Sequence, residues 1–329
     1  MPKLIERYTY GFEDVSLEPH HNSPVFSRKT DVDTTVIMGN IKLHTPIIAS
    51  PMKDVCDHNV AIAIAKAGGV GAIHRFQTIE QQVDMVSRVV KSDHPVLAAV
   101  GTTEHCVERA IKCFNAGAFG IIIDVAFLNQ RTIKICRAIR KELPKAYLIS
   151  GNVATGAGFR MGIEAGLDAI RVGIGNGQAC RTSRVTGVGI GLFTSLLEAY
   201  EESCQSGVKV ICDGGMDIGG SFCKALAAGA HYTIMGRAFA GTYEGPGRTM
   251  ADTGSFSGGT LCEYESMALA EPKQVEELIK RGSPIYKEYR GSASMESQMA
   301  YKARGEIVTS EGVASLVKVF GSVADVLGR

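Results

Sequence analysis

The stretch NVAIAIAKAGGVGAIHRFQTIEQQVDMVSRVVKSDHPVLAAV, Asn59 to Val100, decides the fold. It contains two beats of one rhythm. A helical segment, Asn59 to Ala67, stops at Gly68-Gly69, as helix C-termini do, and leads into the apolar run Val70 to Ile73. A second helical segment, Gln77 to Val90, precedes the run Val96 to Val100. Thr78 is placed to cap it, and Ile79, Val83, Val86 and Val90 fall at helical spacing, which predicts an inward-facing stripe.

Outward from this stretch the rhythm continues. Pro46 to Ser50 lies before it, and Gly120 to Asp124, Ala146 to Gly151, Ala169 to Val172, Val208 to Asp213 and His231 to Met235 lie after it. The centres are spaced by roughly 22 to 27 residues, apart from a gap of about 40 between the sixth and seventh. Continuous apolar strands alternating with helices imply parallel βαβ units. Eight of them predict an α/β fold of the (β/α)8 TIM barrel type. An open doubly wound sheet fits less well, because its Gly-x-Gly-x-x-Gly turn after the first strand is missing.

Balanced charge, 35 basic against 34 acidic residues, argues against a protein that coats nucleic acid. With 45% hydrophobic residues, the chain can bury a large core. The nine cysteines include no Cys-x-x-Cys pair, and Cys113, Cys136 and Cys212 lie in apolar runs. No apolar stretch approaches the ~18 residues of a membrane span, and the first twelve residues lack an export signal. These features predict a cytoplasmic protein of one catalytic barrel domain, residues 1–329, with no membrane or nucleic-acid partner. Glycine is in excess, 38 residues of 329, as loops that approach phosphate closely require.

From Thr249 to Tyr264 the composition shifts to Gly, Ser and Thr, and Thr249 to Arg281 reads as an insertion after the eighth strand: a lid, an interaction surface or a loop. Within it, Pro272 opens a short helix from Lys273 to Lys280. The tail from Ser292 is expected to form a flap and then a helix from Val323.

Barrel chemistry sits at the C-terminal strand ends. The widest gap holds GIGNGQACRTSRVTGVG, Gly173 to Gly189, which is either a glycine-rich connection or a catalytic loop. In the second reading Cys180 is the nucleophile. Arg181 and Arg184 flank it, and nearby cations favour a thiolate. Asp213-Gly214-Gly215 and Gly236-Arg237 follow the last two strands, where barrels often bind phosphate through backbone N–H groups. Arg237 would clamp the phosphate, and Asp213 would accept from ribose hydroxyls.

Several motifs in one order carry a resemblance: FEDVSLEP (Phe12 to Pro19), ASPM (Ala49 to Met52), GNVATG (Gly151 to Gly156), the cysteine loop, DGG (Asp213 to Gly215), YRG (Tyr289 to Gly291) and SEG (Ser310 to Gly312). From about Tyr10 to the tail the chain resembles the IMP dehydrogenase/GMP reductase family. The resemblance implies that Cys180 attacks purine C2, with Thr182 and Glu311 moving protons. It also implies that Ser50, Met52, Gly214, Gly215, Gly236, Arg237, Tyr289 and Gly291 hold the nucleotide, GMP or IMP, and that Asp213 holds its ribose. Asp124, Val125 and Ala126 would lie beside the nicotinamide of NADPH. The carbonyls of Gly173, Gly175 and Cys180 would hold a monovalent cation, K+, in a homotetramer.

Within that family the sequence leans to GMP reductase. The CBS regulatory pair is absent, since only Phe76 to His94 separates strands two and three. The flap, about 17 positions from Ser294 to Glu311, contains no Arg-Tyr pair to activate water. IMP dehydrogenase is the alternative. A nucleotide-binding regulator without catalysis and a flavin-dependent barrel are further readings. Asn176, Gln178, Lys53, Ser292 and Val308 depart from the family pattern, which leaves a deoxy- or modified guanine nucleotide open as substrate.

Overall fold

A computed structural model of the chain describes residues 7–27, 30–177, 180, 182–216, 219–252, 267–269, 277–278, 280–291 and 314–328. A hairpin comes first, β1 (Val36–Met38) with β2 (Ile41–Leu43). The barrel follows: β3 (Ile47–Ala49), α1 (His58–Lys66), β4 (Val70–Ile73), α2 (Ile79–Lys91), β5 (Val96–Val100), α3 (Cys106–Asn115), β6 (Gly120–Ile123) and α4 (Gln130–Glu142). It continues with β7 (Tyr147–Val153), α5 (Gly156–Glu164), β8 (Ala169–Val172), α6 (Thr182–Thr186), α7 (Leu192–Ser206), β9 (Lys209–Asp213), α8 (Gly220–Ala227) and β10 (Tyr232–Met235). Strands β3 to β10 close into a parallel barrel in chain order, with β10 returning to β3. The fold is the (β/α)8 barrel expected from the apolar rhythm.

The strands are apolar on both faces because each face is buried differently. Ile48, Ala72, Leu97, Ile122, Ile149, Ala169, Ile211 and Ile234 fill the barrel interior, and Met38 and Leu43 of the hairpin join that cluster. The alternate residues, such as Ile73, Val96, Ile121, Ile170 and Val210, pack with the helices. Each such side chain contributes about 1.5–3 kcal/mol when fully buried.

Helix α1 is capped by Asp57, whose carboxylate accepts from Asn59 N and Val60 N. Helix α2 is capped by Thr78 in a reciprocal box with Gln81. Its buried face differs from the expected stripe: Gln82, Val86 and Val89 are buried, while Val90 is 37% exposed. The reason is polar. Gln82 Nε2 donates to Ile73 O at 3.1 Å and Ala99 O at 2.7 Å, tying the helix to two barrel strands.

After the barrel come α9 (Arg237–Ala240), β11 (Thr249–Asp252), β12 (Met267–Leu269), β13 (Ile285–Arg290), β14 (Ala314–Lys318) and α10 (Val323–Leu327). The four strands form an antiparallel sheet in the order β12-β11-β13-β14. Part of the expected insertion lies in this sheet. Thr249 to Asp252 is no loop; it pairs with β13 in the register Met250↔Tyr286 and so belongs to the sheet that carries the YRG motif. The expected helix from Lys273 to Lys280 lies largely outside the described residues, as does the flap from Ser294 to Glu311. The C-terminal helix begins at Val323, as expected, with Ser322 as its cap. Among the described residues no helix is long and apolar enough to cross a membrane.

Candidate active site

Side-chain parity builds the site. The interior layer holds Ile122 on β6, Ala169 on β8 and Ile211 on β9. Two residues further along each strand direction the same inward face carries Asp124, Arg171 and Asp213, at the C-terminal end of the barrel. The apolar plug thus gives way to a charged layer. Arg171 is 6% exposed; its Nη1 donates to Asp124 Oδ1 at 2.8 Å, and Nη2 and Nε donate to Asp213 Oδ2 at 2.7 and 3.0 Å. Burial alone would disfavour the guanidinium charge, but Asp213 and Asp124 outweigh it and raise the Arg171 pKa. Asn152 Nδ2 adds a bond to Asp213 Oδ2 and another to Gly173 O, both at 2.6 Å.

Above this layer opens a cavity of ≈ 300 Å³. Ser50 and Met52 line it from the loop after β3, Gly236 from the end of β10, and Asp124, Val125 and Ala126 from the segment after β6. The loop after β8 contributes Gly173, Gly175, Cys180 and Thr182; Asp213 and Gly214 follow from β9, and Tyr289 and Gly291 from β13. These six separate segments of sequence converge on one space.

Cys180 is half-buried, and its Sγ donates to Thr182 Oγ1 at 3.3 Å. Thr182 opens α6, which orients the hydroxyl toward the thiol. Cys113, Cys136 and Cys212 are different: burial pushes the first two thiols up to about 11 and raises the third as well, so none of them is a ready nucleophile. Arg184 is exposed on α6. Arg181, Gln178 and Glu311 lie outside the described residues.

Gly236 shows why a glycine stands there. A Cβ on it would lie 2.8 Å from the Tyr289 hydroxyl and 3.4 Å from Met52 Sδ. Tyr289 is 5% exposed, and burial raises its phenol pKa against the opposing pull of Arg237. Gly214, at φ +74°, holds a left-handed turn whose Cβ would sit 3.0 Å from Gly177 Cα.

Two expected nucleotide residues stand apart from the cavity lining. Gly215 packs on Leu192 and Asn176, and Arg237, the first residue of α9, is exposed beside Tyr289. Asp213, expected to face a ribose, gives one oxygen entirely to Arg171 and Asn152. Of the carbonyls expected to hold a cation, Gly173 O accepts from Asn152, and Gly175 O accepts from Ser183 Oγ at 3.4 Å. Each carbonyl oxygen keeps a further lone pair, so the donor chemistry suits a monovalent cation. Among the described residues, no group of three or more His, Cys, Asp or Glu side chains is arranged to hold a metal ion.

The residue reading missed Arg171 and Arg75. Arg75 follows β4, lines the cavity, stacks on Phe76 at 4.6 Å and places Nε 3.6 Å from Asp124 Oδ2. Arg171 carried a legible signal: a charge inside an apolar run must find a partner. Three cavity-lining residues bear buried polar atoms that lack a hydrogen-bond partner, Arg75 Nε, Asn152 Oδ1 and Asn176 Nδ2.

Residues 9–274 match the sequence profile described as the IMP dehydrogenase / GMP reductase domain. The chain is 34% identical to an inosine-5'-monophosphate dehydrogenase of Aquifex aeolicus, covering 96% of this chain and 86% of that protein. It is 29% identical to a protein of the same name from Borreliella burgdorferi, covering 99% and 88%. It is also 29% identical to a GMP reductase of Streptococcus suis, covering 98% and 87%. The alignments to these two dehydrogenases run over 452 and 378 positions, longer than the 329-residue chain, so those proteins carry stretches without a counterpart here. The reductase alignment runs over 324.

Proposed function

The chain belongs to the IMP dehydrogenase/GMP reductase family, oxidoreductases of purine nucleotides, and on that premise we propose that it is a GMP reductase, converting GMP to IMP and ammonia with NADPH. The observation that carries the reading is the Cys180 Sγ to Thr182 Oγ1 contact of 3.3 Å at a cavity floored by the ion-paired Asp124, Arg171 and Asp213.

In this reading the thiol gives its proton toward Thr182, and the thiolate adds to purine C2, forming a C–S bond. The C2–N bond then breaks, and the amino group leaves as ammonia after protonation, a task assigned to Glu311 through Thr182. A nicotinamide held along Asp124, Val125 and Ala126 supplies hydride to C2 when bound. The C–S bond then breaks, returning the Cys180 thiolate and releasing IMP. Proton transfer by a placed acid is worth about 10²–10⁴ in rate. Asn152 and Arg171 hold Asp213 in place for the ribose, and Tyr289 and Gly236 shape the phosphate corner. A potassium ion on the carbonyls of the cysteine loop would brace that loop.

Support for the reductase over the dehydrogenase comes from the missing Arg-Tyr pair between Ser294 and Glu311, since hydrolysis of the adduct needs a base and deamination does not. The shorter reductase alignment points the same way. The second reading, IMP dehydrogenase, is favoured by the 34% identity to a protein of that name. A paired assay decides. GMP with NADPH should lose absorbance at 340 nm and release ammonia, while IMP with NAD should give no NADH; the reverse pattern assigns the chain to the dehydrogenase.

A further inference from the structure

Strand β13 delivers Tyr289 and Gly291 to the cavity, yet Arg290 between them turns the other way. Its Nη2 lies 3.7 Å from Glu288 Oε2, and its shorter contacts go to Asp54, 2% exposed, in the loop after β3. Asp54 accepts three bonds from this one residue: Arg290 N to Oδ2 at 3.1 Å, Nε to Oδ2 at 2.7 Å and Nη2 to Oδ1 at 2.6 Å. The carboxylate therefore fixes both the main chain and the side chain at the last residue of the strand.

Asp54 is itself rigidly hung. Val55 N and Cys56 N both donate to Met52 O, at 3.0 and 3.1 Å, closing a turn around it, and Met52 N donates to Ser50 O at 2.8 Å. Ser50 and Met52 line the cavity. The pair thus stitches together two cavity-lining segments that come from opposite ends of the sequence. Two residues before Tyr289, Lys287 Nζ donates to Gly245 O at 2.6 Å, so the strand is held on both sides of the residue that meets Gly236.

A buried ion pair is poor evidence for stability as such, because desolvation cancels much of its Coulomb gain. What it does supply is geometry: a fork-on-carboxylate pair permits one orientation. We infer that Asp54 is a positioning residue for the nucleotide, acting through Arg290 to set Tyr289 and Gly291 against the ligand. This rests on the nucleotide-site reading above.

The test uses full-length wild type, Asp54→Asn and Arg290→Lys. Asparagine keeps the shape and loses the charge; lysine keeps the charge and loses the fork. GMP and IMP binding is measured by calorimetry, and steady-state KM and kcat are measured for nucleotide and nicotinamide cofactor, with urea unfolding as the check on folding. In both variants the nucleotide Kd and KM rise about tenfold while kcat and the cofactor KM stay within about twofold, the pattern of lost uniform binding. If Asp54→Asn does not fold, Arg290→Lys carries the same expectation. A folded variant whose nucleotide KM stays within about twofold of wild type overturns the inference, as does a parallel loss of kcat and cofactor affinity, which marks general loosening. Wild type that binds neither nucleotide overturns the reading beneath it and the inference with it; wild type that binds while the variants bind equally well overturns the inference alone.

Discussion

Arg171 grips Asp213 through two nitrogens, at 2.7 and 3.0 Å, and with its remaining Nη1 reaches Asp124 on the opposite wall. One guanidinium thus ties the wall assigned to the ribose to the wall assigned to the nicotinamide. Removing one partner of a buried charge group costs about 3–5 kcal/mol, because the others stay uncompensated. Arg171→Met is expected to lose stability of that order in urea unfolding. Arg171→Lys keeps the charge without the fork and is expected to fold, with kcat/KM reduced at least about tenfold. Wild-type kinetics in Arg171→Lys would remove the residue from the mechanism.

The thiols differ enough to be sorted chemically. Cys180 is half-buried at the cavity, whereas Cys113 and Cys136 are buried with pKa values pushed up to about 11. Brief iodoacetamide treatment at pH 7.5 is expected to alkylate Cys180 ahead of Cys113 and Cys136, and GMP is expected to protect it. Peptide mapping by mass spectrometry checks both points. Cys180→Ala should abolish turnover, and Thr182→Ala should lower kcat by about 10²-fold if the hydroxyl takes part in proton transfer.

Stability should fall in weak acid for a reason that can be located. His74 is 5% exposed; its Nδ1 accepts from Phe76 N, and burial lowers its pKa from 6.5 to about 4. The unfolded chain therefore binds a proton there that the folded chain refuses. The contribution is fully present above about pH 6.5 and is lost as pH falls towards 4, with a slope of at most about 1.4 kcal/mol per pH unit. Urea midpoints measured from pH 8 to pH 4 should decline in this window. In His74→Gln the decline should be shallower.

Gly236→Ala places a methyl group where the Tyr289 hydroxyl lies, 2.8 Å from its Cβ. The tyrosine must shift. The nucleotide KM is expected to rise about tenfold or more, and Gly236→Ala/Tyr289→Phe, which removes the obstructing oxygen, should recover part of the loss. Equal KM values in the two variants would show that the collision is relieved elsewhere.

The barrel was legible because its signal is redundant. Val70 to Ile73, Val96 to Val100 and Ala169 to Val172 match the observed strands at both ends, and the other runs differ only at their margins. Buried on two faces, such strands have no reason to interrupt their apolar character. The cysteine loop stood out for the opposite reason, as a long gap in a regular rhythm. Polar residues with inward roles were harder to read. Gln82 is not among the apolar positions of the predicted stripe, yet it bonds two strands, and Arg171 was absorbed into an apolar run although its parity matches Asp124 and Asp213. The sheet of β11 to β14 left little trace, because short antiparallel strands with mixed faces resemble loops until their partners are known.

The seam where β10 meets β3 has a kinetic consequence. Ser50 N donates to Met235 O at 3.0 Å across this seam, placing the first motif of the cavity beside Gly236 from the last barrel strand. The cavity therefore exists only after the ring has closed, the most long-range and slowest class of contact to form. A ligand that recognises only the closed ring gives no help to a chain still assembling it. Nucleotide should lengthen the lifetime of the finished protein by slowing unfolding while leaving the refolding rate unchanged.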